Sequence, residues 1–317
     1  MQVVSLILMA GLALSHISCQ PVCHQMEPTI TCQIPAYRIG VMPSAFPPLS
    51  DEEYQHEWAK ELLIGNAFAK ESDFYRAITC YKRALILLPA AENDRRQQID
   101  YDLMLAYYLG CKYQEALNIF ESSAICQATP AFPAFNQLLL IVYDCYLQTH
   151  QEEKAACALE AIQKFSPESA EDLSLYQSLK TGEVEEVRCL ISQHREADVM
   201  QADFDFYEQF AKSPSKARAL NALLPGAGYY YVGQRRSAVT SFIINALFTA
   251  AAYQFFARGY PAAGALTASL ELGWYLGGIN GAGIEANEFN TRLYEGVGKK
   301  ILTDNACFPV LMFETSF

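Results

Sequence analysis

The chain is short of positive charge. Twenty-three Lys and Arg stand against 35 Asp and Glu in 317 residues, a net charge of −12, and the bases never gather into a patch. A nucleic-acid surface needs clustered Lys and Arg to neutralise phosphates, so that class is excluded. Histidine is scarce and scattered, five in all. No paired carboxylates stand in a recognisable motif and no Gly-x-Ser-x-Gly elbow occurs, so no catalytic residue is assigned and no enzyme is expected. The run Cys19-Gln-Pro-Val-Cys23-His24 has one residue too many for haem attachment and lacks a fourth ligand at zinc spacing. Neither cofactor nor metal is expected from it.

Charge is missing altogether from residues 237–257. At ~1.5 Å per helical residue this run spans a bilayer core of ~30 Å. Residues 260–284 form a second apolar run with one charge, Glu271, and a short break at residues 258–261 separates the two. Two such runs joined by a tight turn read as a membrane helical hairpin. The acidic surplus lies elsewhere. Residues 199–317 hold nine acids and nine bases, which leaves 26 acids against 14 bases in residues 1–198. This reads as a solvated helical surface.

Residues 3–14 are apolar and too short to span, which fits a secretory signal although no Lys or Arg precedes them. Cleavage after Ser15, acylation of Cys19 at the end of a lipoprotein-like box, and an uncleaved anchor all remain open. Residues 21–50 are rich in proline and read as an extended linker. Cys80, Cys111, Cys126, Cys145, Cys157 and Cys189 are spaced singly and read by default as small buried apolar residues.

Helical periodicity begins at residue 51. Gly65, Phe68, Phe74, Ala77, Tyr81, Ala84 and Pro89 place small residues where two antiparallel helices approach, and aromatics in the gap between them. Leu103, Tyr107, Tyr113, Ala116 and Phe120 form a second copy, and Tyr143, Tyr146, Ala155, Leu159 and Pro167 a third. Ala77, Ala116 and Ala155 are each 39 residues apart. A fourth pair covers residues 175–197 with Gly182 in its turn. The pattern resembles the tetratricopeptide repeat, with Ser72 in place of the usual turn glycine. The resemblance implies a helical-hairpin solenoid that holds a protein or peptide partner in a concave groove. Carried onto this chain, the groove positions are Leu62, Asn66, Ala69, Tyr101, Leu105, Tyr108, Leu140 and Asp144. With no Lys or Arg among them, they do not form a clamp for a C-terminal carboxylate. Tyr101 and Tyr108 also admit simple packing between repeats.

The segment 223–234, with Pro225, Gly226, Gly228 and Gly233, resembles the Leu-Pro-Gly-x-Gly…Tyr-x-Gly signature of small two-span bacterial membrane modules. That resemblance implies architecture and no activity. A phosphate-cradling loop is excluded by the placing of Gly233 and the lack of a preceding strand. In the second run Gly273, Gly277 and Gly281 recur every four residues, a stripe for close helix packing or for self-association. Glu271, level with Asn245 across the hairpin, is expected to be neutral or hydrogen-bonded to it.

The expected fold is all-α, a tetratricopeptide-like solenoid followed by a transmembrane hairpin. Its divisions are a signal at 1–19, a linker at 20–50, repeats at 51–211, and an interfacial helix and Pro-Gly-x-Gly loop at 212–236. Two spans at 237–284 and an amphipathic tail at 285–317 complete it. Residues 308–317 are expected in the membrane interface or against the repeats. The implied role is a scaffold for another envelope protein, with a docking arm on a transport or insertion machine as the alternative. Partners are a protein or peptide and membrane lipid. Bases flank the hairpin ends and argue for repeats inside the cell, whereas the signal argues for export. Export to the periplasmic face of a bacterial membrane is the favoured reading.

Overall fold

The computed structural model describes residues 26–317; the signal and Cys19 lie outside them. The chain is all-helical, and among the described residues the only strand-like pairing is an isolated bridge between Ser44 and Ser316. It divides into two compact units. The first comprises Ile30–Leu179, Glu186–Ala197 and Lys299–Phe317, the second Lys180–Glu185, Asp198–Gly298 and residues 26–29. The repeat division at residues 51–211 draws on both units. It omits residues 30–50 and 299–317 of the first unit, and it cuts the second.

The first unit opens with α1 (Ala36–Val41), followed by α2 (Glu57–Lys70) and α3 (Phe74–Leu87), then α4 (Asn93–Leu109) and α5 (Tyr113–Ser122). After them come α6 (Phe135–Gln148) and α7 (Glu152–Phe165), then α8 (Pro167–Thr181) and α9 (Val184–Gln193). From α2 to α7 each helix packs on the next in sequence. The first hairpin shows why. A Cβ on Gly65 would stand 2.7 Å from the Tyr81 ring, so only glycine lets α2 and α3 approach this closely. Asp73 caps α3 by accepting the N–H of Arg76 at 3.2 Å. Ala77, Cys80, Tyr81 and Ala84 then form its buried stripe. Phe68 is half-buried instead, beneath the Arg76 guanidinium, and Leu159 yields its expected core place to Ala158 and Ile162.

The hairpins share a turn. Ser72, Cys111, His150 and Gly182 all take left-handed backbone, at φ of 63°, 57°, 58° and 77°. In the first three, the next residue's N–H returns to the carbonyl of Phe68, Tyr107 or Tyr146, the Schellman closure of a helix end. Three L-residues thus occupy a position glycine takes without strain, at roughly 1 kcal/mol each. His150→Gly and Cys111→Gly are each expected to raise stability by about 0.5–1 kcal/mol, measured by denaturant unfolding in detergent. Unchanged or lowered midpoints count against a strained turn.

The expected linker is structured from residue 30 onward. Ile30, Ile39 and Phe46 are buried, and Arg95 ties down the following stretch through Glu53 at 2.6 Å and the carbonyls of Pro47 and Pro48. The cysteines also depart from expectation. Cys80 and Cys145 are buried, whereas Cys111, Cys126, Cys157 and Cys189 are exposed, and among the described residues the cysteines are free thiols.

The second unit contains α10 (Ala197–Phe210), α11 (Pro214–Leu223), α12 (Ala227–Tyr231), α13 (Arg235–Ala257) and most of α14 (Pro261–Asp304). Among the described helices, α13 alone is long and apolar enough to cross a membrane. The second apolar run does not end near residue 284: it is the first part of the 44-residue α14. Val239, Phe242, Ile243, Leu247 and Phe256 on α13 are exposed, as are Leu266, Leu270, Leu272 and Trp274 on α14.

The Pro-Gly-x-Gly loop is gripped by its neighbours. Asn221 accepts the Gly226 N–H at 2.9 Å, Gly228 leaves no room for a Cβ beside Ala217, Asn221 and Ala282, and the Tyr229 hydroxyl lies against Gly281. Lys212 and Asn290 exchange two hydrogen bonds at 2.7 and 2.8 Å. Gly273 and Gly277 face no neighbour within 4 Å; they line an open cleft of about 670 Å³ with Arg236, Trp274 and Glu285. The stripe therefore does not pack the hairpin together. Asn245 is not paired with Glu271 either: its amide donates to the Ser241 carbonyl one turn back, at 2.6 Å. Glu271 Oε2 and Asn245 Oδ1 are buried without a hydrogen-bond partner.

Candidate functional site

The positions assigned to the groove lie on one face of three helices. They are Leu62, Asn66 and Ala69 on α2, Tyr101, Leu105 and Tyr108 on α4, and Leu140 and Asp144 on α6. All are buried except Asn66, which is half-buried and accepts the Tyr81 hydroxyl at 2.9 Å. A solvated groove would leave this face open. Here α4 is buried without interruption from Gln98 to Tyr108, because a further part of the chain covers it.

That cover is residues 308–317 of the same chain. After α14, Ala306 turns through left-handed backbone, at φ of 55°. Residues 308–317 then pack into the first unit, mostly without regular structure apart from the short turn Pro309–Leu311. Phe308 meets the Tyr176 ring at 5.6 Å, Phe313 that of Tyr108 at 5.8 Å, and Phe317 stacks on Tyr81 at 6.1 Å. All three phenylalanines are buried. The tail thus runs from α8 past α4 to α3, against chain order.

The tail's backbone is held by side chains of α1 and α6 and by the backbone near residue 43. Arg38 donates to the carbonyls of Leu311 at 2.7 Å and Phe313 at 3.3 Å. The Gln137 amide donates to the Thr315 carbonyl at 3.0 Å, and its oxygen accepts the Thr315 hydroxyl at 2.7 Å and N–H at 3.3 Å. Ser316 N–H reaches the Pro43 carbonyl at 2.8 Å. Beside residues 308–310 an open cleft of about 530 Å³ remains, with Asp144 and Tyr113 in its lining. Asp144 is buried and well supplied with donors: Tyr108 at 2.6 Å, Gln148 at 3.0 Å and Tyr176 at 3.3 Å. Burial, and then the Asp144 carboxyl beside it, raise the Tyr108 hydroxyl well above its usual range, so it donates throughout the physiological range.

A second cluster ties the root of the tail to the hairpins. Asp172 Oδ1 meets His194 Nε2 at 2.8 Å and accepts the Cys307 thiol at 3.6 Å, while Arg195 holds Oδ2 at 2.7 Å. Three buried groups of metal-ligand type thus converge. The histidine tautomer decides their use. Its Nδ1 accepts the Glu196 N–H at 3.1 Å, so the ring proton sits on Nε2 and is donated to Asp172. A metal on Nε2 would drive that proton onto Nδ1, into the Glu196 N–H. The cluster is therefore a hydrogen-bonded clasp. Burial and Asp172 push the Cys307 thiol above its usual range, which also makes it a poor nucleophile.

Sequence reasoning missed Arg38, Gln137, the clasp and the three tail phenylalanines. Gln137 lies three residues before Leu140 on the face already assigned, so helical spacing alone would have found it. No family model, no curated protein and no solved structure matches the chain.

Proposed function

We propose that this protein is a membrane-tethered helical-repeat scaffold whose tetratricopeptide-like hairpins hold an extended segment of another envelope protein. The observation that carries this reading is the mode of grip. Arg38 and Gln137 hold backbone atoms of a non-helical segment while the hairpins seat its aromatic side chains. Such a surface recognises a peptide rather than a small molecule. The apolar exposure of α13 and of the first part of α14 supports the tether, two spans with α13 as the first.

A docking arm on a transport or insertion machine is the second reading. It draws on the unpartnered Glu271 and Asn245 oxygens in apolar helices, where such groups are costly. Carbonate extraction of membranes, followed by in-cell crosslinking, tests the scaffold. The expected result is a chain retained in the membrane pellet and crosslinked to a distinct protein through the hairpins. A chain released by carbonate, or one with no crosslinked partner, overturns it. Glu271→Gln separates the readings, since a scaffold keeps its function and a proton-handling machine loses it. Alkaline phosphatase fused after Ala211 is expected to be active if the hairpins are exported.

A further inference from the structure

The tail makes three kinds of contact with the groove, and each belongs to a ligand as much as to a core. Its backbone is held by side chains of α1 and α6, a grip indifferent to the identity of the residue held. Its aromatics fill separate seats, at Tyr176, Tyr108 and Tyr81. Its far end fits imperfectly. The Ser316 hydroxyl is buried without a hydrogen-bond partner. An orphaned buried polar group costs roughly 1–3 kcal/mol, so the resident segment binds well short of the best the groove allows. The open cleft beside residues 308–310 gives an incoming chain a place to start.

We propose that residues 308–317 are a built-in competing ligand. Once they leave, the groove takes an extended segment of another protein with aromatic side chains at the spacing of Phe308, Phe313 and Phe317. This rests on the scaffold reading above and adds to it the occupant and the control: partner binding requires tail release. Release starts at the end away from the Asp172 clasp, which holds the root at Cys307.

The test uses the full chain in detergent, with a protease site inserted between Asn305 and Ala306 and cut after folding. A fluorescent peptide with the sequence of residues 306–317 is then added. The expected result is exchange of the cut tail for the peptide, with the far-ultraviolet circular dichroism of the helices preserved. A peptide with Phe313→Ala should bind about tenfold more weakly or worse, as should the normal peptide to a Gln137→Ala chain of unchanged helicity. Should the inserted site impair folding, the uncut chain with Phe317→Ala serves instead, and it should bind the normal peptide more tightly than the unsubstituted chain does. Helix loss in step with tail departure, or no exchange on either chain, makes the tail part of the core and overturns the proposal. Tail exchange between intact copies, seen as energy transfer between two labels, makes a second copy the occupant and overturns it also. If the crosslinked partner survives Gln137→Ala while peptide exchange fails, the scaffold stands and this inference falls.

Discussion

Asp102→Asn is expected to stabilise the protein, by about 2–4 kcal/mol at pH 7. Asp102 is fully buried, with the Gln98 side chain as a polar neighbour. Burial raises it from an ordinary value of 3.8 to about 8, with Gln98 only partly opposing. The folded chain therefore holds the proton at neutral pH and the unfolded chain releases it. For a carboxyl raised in the folded state, the contribution to stability is intact below pH ~4 and is lost as pH rises towards 8. The advantage of the asparagine should thus vanish near pH 4 and be greatest at pH 8 and above. Denaturant unfolding of both chains in detergent across that range is the measurement. Parallel pH profiles would mean that Asp102 has a partner in solution.

Glu53 acts with the opposite sign. Its hydrogen bonds with Arg95 hold its carboxyl down at about 2, so its contribution is present above the usual glutamate range and is lost as pH falls through 2. Asp100, raised to about 6 mainly by burial, sides with Asp102 more weakly. The two aspartates therefore weaken the first unit as pH rises through neutrality. They also show why α4 was hard to read. Its two buried aspartates, Asp100 and Asp102, look like solvent-facing residues in sequence, and only tertiary packing takes them out of water.

What the sequence shows best is local. Gly65, Ala77 and Tyr81 announced a close helix pair because steric fit between neighbours is written within one turn-length of chain. The groove face was legible for the same reason, through the spacing of Tyr101, Leu105 and Tyr108. Its cover was not. Phe308, Phe313 and Phe317 lie far along the chain from their seats, and no periodicity couples segments so distant. The packing reading of the glycine stripe fails for a related reason. Gly273 and Gly277 repeat at helical spacing, but which face they present depends on how α13 lies, and they line an open cleft. Pairing Glu271 with Asn245 by level across the hairpin overlooks the local bond Asn245 makes to Ser241.

The glycines of the second unit should separate into a steep series on substitution by alanine. Gly226→Ala is expected to be the most damaging, with a loss of at least about 3 kcal/mol. Its φ of 91° is strained for any L-residue, and a Cβ would run into the Ala238 carbonyl oxygen. Gly228→Ala meets collision alone, against the Ala217 carbonyl, the Ala282 Cβ and the Asn221 Cβ. Backbone groups cannot swing aside, so a loss of about 2–3 kcal/mol is expected. Gly233→Ala meets strain alone, since φ is 92° and nothing lies within 4 Å; it should lose only about 1 kcal/mol. Gly277→Ala meets neither and gains helix propensity, so it should be neutral or stabilising by up to about 1 kcal/mol. Thermal inactivation in detergent, read by proteolysis at residues 212–234, measures the series. The order Gly226, Gly228, Gly233, Gly277 tests the packing of the loop against α11, α13 and α14 position by position. Equal losses at all four would mean that the Pro-Gly-x-Gly segment needs its glycines for flexibility rather than for the close seat that α14 gives it.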